Sequence, residues 1–270
     1  ALLGAKGTPG ISMAVVSDLR TGNPTSNDES NGGDGAAAVI FGDDQDAPVL
    51  AHTLGFAAST GEFLDRYRLP GDTSSRIWEE RFGEQAYLAL AEDAIERATK
   101  SANIGMEDID KVVIAGLHAR AVRGLSKIAG DKLVDDLTGR IGNPGAAQLP
   151  VLVASVLDQA EPGETVLCVH LADGAYANVM RTTDAIADYT PFATVESQIA
   201  AGSDNLEYNL YLTWRGFLDR EPPRRPDPDR PGAPPTFRSE DWKYAFVGSR
   251  DRSSGAIHLP PMRVSMDGGA

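Results

Sequence analysis

Strand-like and helix-like segments alternate between residues 11 and 183, and this alternation restricts the chain more than any other feature. "ISMAVVSDLR" (11–20) is a short apolar run ending in charge, as a buried strand does. "GDGAAAVIFG" (33–42) is small, apolar and bounded by glycine, which predicts a buried strand packed closely on a neighbour. The intervening "TGNPTSNDESNGG" (21–33) is rich in turn formers and predicts a loop. Residues 47–59 predict a third strand. Residues 77–104 carry Leu88, Ala91, Ile95 and Ala98 at helical spacing, so one face is apolar. "MEDIDKVVIAG" (106–116) predicts a turn and then a strand over 112–115, and 119–130 a helix closing on Gly130. Residues 146–164 predict a helix with a Pro-Gly turn behind it. Residues 165–183 predict a hairpin around a glycine. Buried strands separated by amphipathic helices bury both only by stacking in layers, so the expected class is α/β.

The character changes after residue 183. Residues 184–220 are mixed and partly helical. Residues 221–235, "EPPRRPDPDRPGAPP", hold seven prolines, lack many amide donors and predict an extended spacer or arm. The expected division is therefore 1–183, 184–220, 221–235 and 236–270. The final stretch, "GSRDRSSGAIHLPPMRVSMDGGA", has the frame of a zinc ribbon without its ligands. Asp251, Ser254, Ser265 and Gly268 stand at the knuckle spacing where four cysteines would be. Tetrahedral zinc needs soft thiolates or imidazoles there, so no zinc is expected. His258 reads as a packed residue, and "WKYAFVG" (242–248) is expected to pack on the main domain.

The formal net charge is −14 over 270 residues. Nucleic-acid backbones and anionic membranes reward an excess of Lys and Arg, so neither is expected as a partner. No apolar run approaches the roughly 20 residues of a membrane helix. The one cysteine, Cys168, excludes an intrachain disulfide and fits a reducing cytoplasm. No GxGxxG, P-loop, HExxH or GxSxG pattern is present.

Three stretches carry a resemblance. "GDGAAAVIFG", "VVIAGLHARAVRGLSKIAG" and "RIGNPGAAQLPVLVASVLDQAEPGETVLCVHLADGAYANVM" occur in this order and at this spacing. Together, over residues 1–183, they resemble the thiolase superfamily, specifically its hydroxymethylglutaryl-CoA synthase and ketoacyl synthase III branch. The region from Tyr208 onward resembles bacterial fusions of such a synthase to an acyl-CoA-associated zinc-ribbon module. The resemblance implies a layered αβαβα fold, represented mainly by its C-terminal half, with a Pro-rich arm and a ribbon-like stub.

What the resemblance implies for chemistry is a condensing or acyl-transfer reaction on thioesters. Charge grows on a carbonyl oxygen there, and pre-aimed donors stabilise it. His118 matches the family histidine and Asn143 the family asparagine, so these are the expected catalytic residues. Read alone, a histidine after a strand is ordinarily just hydrogen-bonded, and an asparagine before Pro-Gly is ordinarily a turn residue. The family's nucleophilic cysteine and acid/base glutamate would lie upstream of residue 11. A thiolase-like partner chain or an upstream segment is therefore expected to supply them, and the expected assembly is a dimer, with such a partner chain or as a homodimer. Cys168, inside a predicted buried strand, is not expected to replace the nucleophile. The ligands expected are acyl-CoA thioesters as substrates, with no tightly bound cofactor. The alternative is a non-catalytic scaffold or regulatory subunit that binds a thiolase-like partner or acyl-CoA. Gly33, Gly35, Gly142 and Gly174 are expected where backbones approach closely, and Asp34 as a turn cap. Arg120 and Arg123 read as solvated charges rather than ligands of a CoA phosphate. His52 and His170 read as structural.

Overall fold

The computed structural model describes residues 10–42, 47–72, 74–222, 224–225 and 230–266. Residues 1–219 and 220–270 form two compact units. The first unit is built on a four-stranded sheet in the order β3–β8–β7–β6. These strands are β3 (Ala51–Ser59), β6 (Lys111–Gly116), β7 (Thr165–Leu171) and β8 (Ala175–Thr182). β3, β8 and β7 run antiparallel, and β6 lies parallel to β7 with Val113 opposite Cys168.

The central strands are apolar on both faces because both faces are covered. Val112, Ile114, Leu167, Val169, Ala177 and Val179 point to one core, where α2 (Glu80–Ala102) and α3 (Ala119–Ala129) lie. Val113, Ala115, Val166, Cys168 and Met180 point to the other, with Leu152 and Val156 of α5 (Gln148–Leu157). Period-2 alternation thus divides each strand between two cores. Small residues let α2 approach the sheet: Ala91, Ala94 and Ala98 are fully buried. Leu88 and Ile95 flank them, as the helical spacing predicts.

A two-stranded antiparallel ribbon, β1 (Ser12–Leu19) with β2 (Asp34–Phe41), forms the fourth layer beyond α5. Among the described residues the layers therefore run helix, sheet, helix, sheet, four of the five layers of the expected αβαβα order. The expectation that β1 and β2 are buried is corrected. Both alternate between half-buried and exposed residues, because only the face toward α5 and residues 145–147 is covered. Met13, Val15, Leu19 and Ile40 are exposed on the other.

A further correction concerns residues 21–33; residues 60–76 carried no expectation, and the helix expected from residue 77 begins at Glu80. The loop predicted over 21–33 contains a short helix, α1 (Asn27–Asn31). Ser26 caps it by accepting the Glu29 amide, and Asp28 and Glu29 occupy its first turn, where acids favour a helix start. A small hairpin, β4 (Arg66–Tyr67) with β5 (Arg76–Ile77), precedes α2.

Residues 184–219 belong to the first unit and carry α6 (Val195–Ala200) and α7 (Tyr208–Trp214). Arg140, in the short α4 (Thr138–Ile141), pairs bidentately with Glu196 at 2.6 and 2.8 Å. Tyr208 donates to Glu29 at 2.9 Å, and Arg215 Nη2 meets Asp34 Oδ2 at 2.6 Å. The second unit holds α8 (Ala233–Phe237), α9 (Glu240–Lys243) and a minimal hairpin of β9 (Ser249–Arg250) with β10 (Ile257–His258). No helix among the described residues is long and apolar enough to cross a membrane.

Candidate active site

β6 ends at Gly116, and the chain turns directly into α3 with His118 as its N-cap residue. The imidazole does the capping: Nδ1 accepts the Ala121 amide at 3.1 Å. Nδ1 therefore holds no proton, and Nε2 carries it toward the Glu80 carbonyl at 3.0 Å. The hydrogen-bond network thus assigns the tautomer. His118 is buried, 6% exposed. Tyr87 lies against its ring at 5.6 Å between centroids, and an Asp65 carboxylate oxygen is 3.9 Å from Nε2. Tyr87 donates to the other Asp65 oxygen at 3.4 Å. Burial, then the Asp65 charge, pushes the Tyr87 hydroxyl's pKa well above its ordinary value. Gly83 makes room for this arrangement, since a side chain there would meet His118 Nε2 at 2.9 Å.

Asn143 reaches the same strand end from another loop. Its Nδ2 donates to the Gly116 carbonyl at 2.8 Å and to Gln148 Oε1 at 3.0 Å. Its Oδ1 accepts the Gly145 amide at 2.9 Å. The backbone of this loop is stitched to the segment before β2: Gly33 N donates to Asn143 O, and Asn143 N to Asn31 O. Two glycines permit the crossing. Gly142 has φ +69°, and a Cβ there would strike the Gly32 carbonyl, while one on Gly33 would strike the Ile141 carbonyl. Gly35 lies against Pro144, and Gly174 turns the β7–β8 hairpin at φ +134°.

The two sequence-predicted residues therefore converge on one strand end, Asn143 bonding a carbonyl two residues before His118. Each already spends its donors on protein acceptors. An incoming carbonyl oxygen would have to replace Glu80 O at His118, or one of the two acceptors at Asn143. Asp65, Tyr87 and Gln148 were not singled out from sequence. Their only signal is position: nothing local marks an aspartate 53 residues from a histidine as its neighbour.

The other expectations are placed as follows. Asp34 Oδ1 accepts the Arg20 amide at 3.0 Å, a turn-capping role. Arg120 pairs with Glu84 at 3.1 Å and lies 3.9 Å from Glu80 on an open surface, and Arg123 is exposed. His52 is exposed on β3, and His170 is half-buried beside Tyr176, its pKa lowered by burial. Cys168 is buried in β7, away from this strand end, and burial pushes its thiol up to about 12. In the second unit, Asp251 Oδ1 accepts the Ser253 amide and hydroxyl, both at 2.7 Å. Ser254 Oγ accepts the Ala256 amide at 3.3 Å, and Ser265 meets His258 Nε2 at 3.1 Å. One carboxylate and two hydroxyls engaged this way do not fit zinc. Gly268, the fourth knuckle position, lies outside the described residues.

The chain matches no protein-family model. It is 26% identical over 212 residues to the hydroxymethylglutaryl-CoA synthase of Methanosphaera stadtmanae, covering 76% of this chain and 60% of that one. It is 28% identical over 209 residues to the Pyrococcus furiosus enzyme, covering 75% and 59%. The chain thus spans about 60% of the length of the curated relatives it matches. Among solved structures, a hydroxymethylglutaryl-CoA synthase complexed with CoA aligns with TM-score 0.53 and 17% identity, covering 69% of this chain and 53% of that one. The 3-oxoacyl-[acyl-carrier-protein] synthase III of Aquifex aeolicus aligns with TM-score 0.54 and 14% identity, covering 67% and 60%. The chain has a thiolase-like α/β fold, and over about three quarters of its length it is similar to hydroxymethylglutaryl-CoA synthases.

Proposed function

We propose that the chain contributes the histidine and asparagine side of an acyl-CoA condensing site. A cysteine-bearing thiolase-like half, on a partner chain or a joined segment, completes it. The observation that carries this reading is the convergence of His118 and Asn143 at the end of β6, in a chain similar to hydroxymethylglutaryl-CoA synthases. The substrates are acyl-CoA thioesters. The cysteine carries the acyl group; a base on the cysteine-bearing half removes an α-proton from a second acyl-CoA, the enolate attacks the acyl carbonyl carbon, and collapse of the resulting oxyanion expels the cysteine thiolate, or the two acyl groups exchange these roles. His118 Nε2–H and the Asn143 amide then stabilise the oxygen on which charge collects. Cys168 does not serve as the nucleophile, because its buried thiol stays protonated at neutral pH.

A second reading has an observation of its own. His118 and Asn143 bond protein carbonyls and leave no hydrogen aimed at an open position. That favours a non-catalytic subunit, which binds a thiolase-like partner or acyl-CoA without turnover. Purification from the native source with identification of co-purifying chains, then an acyl-CoA condensation assay, separates the two. The catalytic reading expects a stoichiometric cysteine-bearing half and activity that falls at least a hundredfold in His118→Ala. Unchanged turnover in that variant removes His118 from the mechanism. A stable complex without acyl transfer establishes the second reading.

A further inference from the structure

We propose that Gln148 is a positioning residue of this site, whose side-chain oxygen fixes the Asn143 carboxamide against the end of β6. The inference rests on reading Asn143 as a site residue. Gln148 is the first residue of α5 and is buried, 3% exposed. A glutamine carbonyl oxygen has two lone pairs, and both are engaged. Oε1 accepts the Gly116 amide at 2.9 Å and Asn143 Nδ2 at 3.0 Å. Asn143 places its other hydrogen on the Gly116 carbonyl at 2.8 Å. Strand end, loop and helix start are thereby closed into one ring of hydrogen bonds.

The two ends of a carboxamide are nearly alike in shape, so only partners choose its orientation. Here Gly145 N–H faces Asn143 Oδ1, and two acceptors, Gly116 O and Gln148 Oε1, face Nδ2. The Gln148 oxygen also holds the Gly116 amide, which lies two residues before His118. One atom therefore sets the distance between the loop that carries Asn143 and the strand that delivers His118. Losing that acceptor would leave the Gly116 amide and one Asn143 hydrogen without a partner in a buried place. The carboxamide would then be free to turn. Leucine at this position removes the acceptor at nearly constant volume, and glutamate keeps it.

The test uses the full chain labelled with nitrogen-15. The side-chain amide resonances of Asn143 are identified by their loss in Asn143→Asp. In Gln148→Leu these resonances, and the Gly116 backbone amide, are expected to move toward solvent-exposed positions and to exchange at least tenfold faster. In Gln148→Glu they are expected to stay. Unmoved Asn143 resonances in the leucine variant overturn the proposal, as do displaced ones in a folded glutamate variant. In the assembled, active enzyme, Gln148→Leu is expected to lower kcat about tenfold or more with KM within about threefold, and Gln148→Glu to restore most of it. Full kcat in the leucine variant overturns the positioning role. Absence of any condensing activity counts against the proposed function alone, because the resonance arm reads Asn143 without turnover.

Discussion

At the scale of single residues, His118 holds two jobs that substitution can separate. Its Nδ1 caps α3, while Nε2 is the donor the proposed chemistry needs. His118→Ala removes the cap and should lower stability by about 1 kcal/mol, read as a reduced urea midpoint. Asparagine is a good N-cap, so His118→Asn should recover most of that loss. If His118 acts chemically, the asparagine variant should nevertheless be as inactive as the alanine one. Equal stability of alanine variant and parent would remove the capping role. Cys168 makes the opposite case, a reactive residue type held inert. With its thiol pushed up to about 12 by burial, it should resist iodoacetamide at pH 8 in the native chain and react quickly in urea. Rapid native labelling would contradict its burial in β7.

Among elements, α2 fits closely on β3 and β8. β3 carries a bulge between Thr53 and Gly55, and α2 backbone approaches there. A side chain on Gly55 would strike the Ala98 carbonyl and reach the Ala102 amide nitrogen at 2.7 Å. Backbone cannot yield as a flexible side chain can, so Gly55→Ala should destabilise by about 1–3 kcal/mol, measured by urea unfolding. An unaffected midpoint would mean that α2 stands farther from the sheet. The helical spacing of Leu88, Ala91, Ile95 and Ala98 made this face legible in the sequence. The bulge was not, because it depends on which residues of β8 lie opposite. The same division explains β1 and β2. Their apolar content marked them as strands, but whether one face or two is covered depends on neighbours distant in sequence. α1 was missed because five residues behind a serine cap carry little periodic signal.

For the whole molecule, burial of ionisable groups makes stability depend on pH on the alkaline side. Cys168 has an ordinary value of 9.0 and a folded value of about 12. The folded state therefore holds this proton more tightly than the unfolded one. The contribution is complete below pH 9 and is lost as pH rises from 9 toward 12, at about 1.4 kcal/mol per pH unit. Tyr87, raised by burial and Asp65, adds a loss of the same sign above its own ordinary value of 10.0. Urea unfolding at pH 8 and pH 10 should show a lower midpoint at pH 10. Cys168→Val, which fills similar space without a titrating group, should flatten that dependence. A midpoint independent of pH would mean that Cys168 is not shielded from water.

The sequence by itself determined the layered α/β class, because apolar strands separated by amphipathic helices leave few other ways to bury both. It also marked His118 and Asn143, through the order and spacing of three motifs. Only the tertiary structure decided what surrounds them. Asp65 and Tyr87 beside the imidazole, Gln148 on the carboxamide, and the Glu80 carbonyl on Nε2 come from segments up to 53 residues away from the group they touch. Such contacts follow from how sheet and helices pack. Packing is set by the summed fit of many side chains and leaves no local pattern at the residues it brings together.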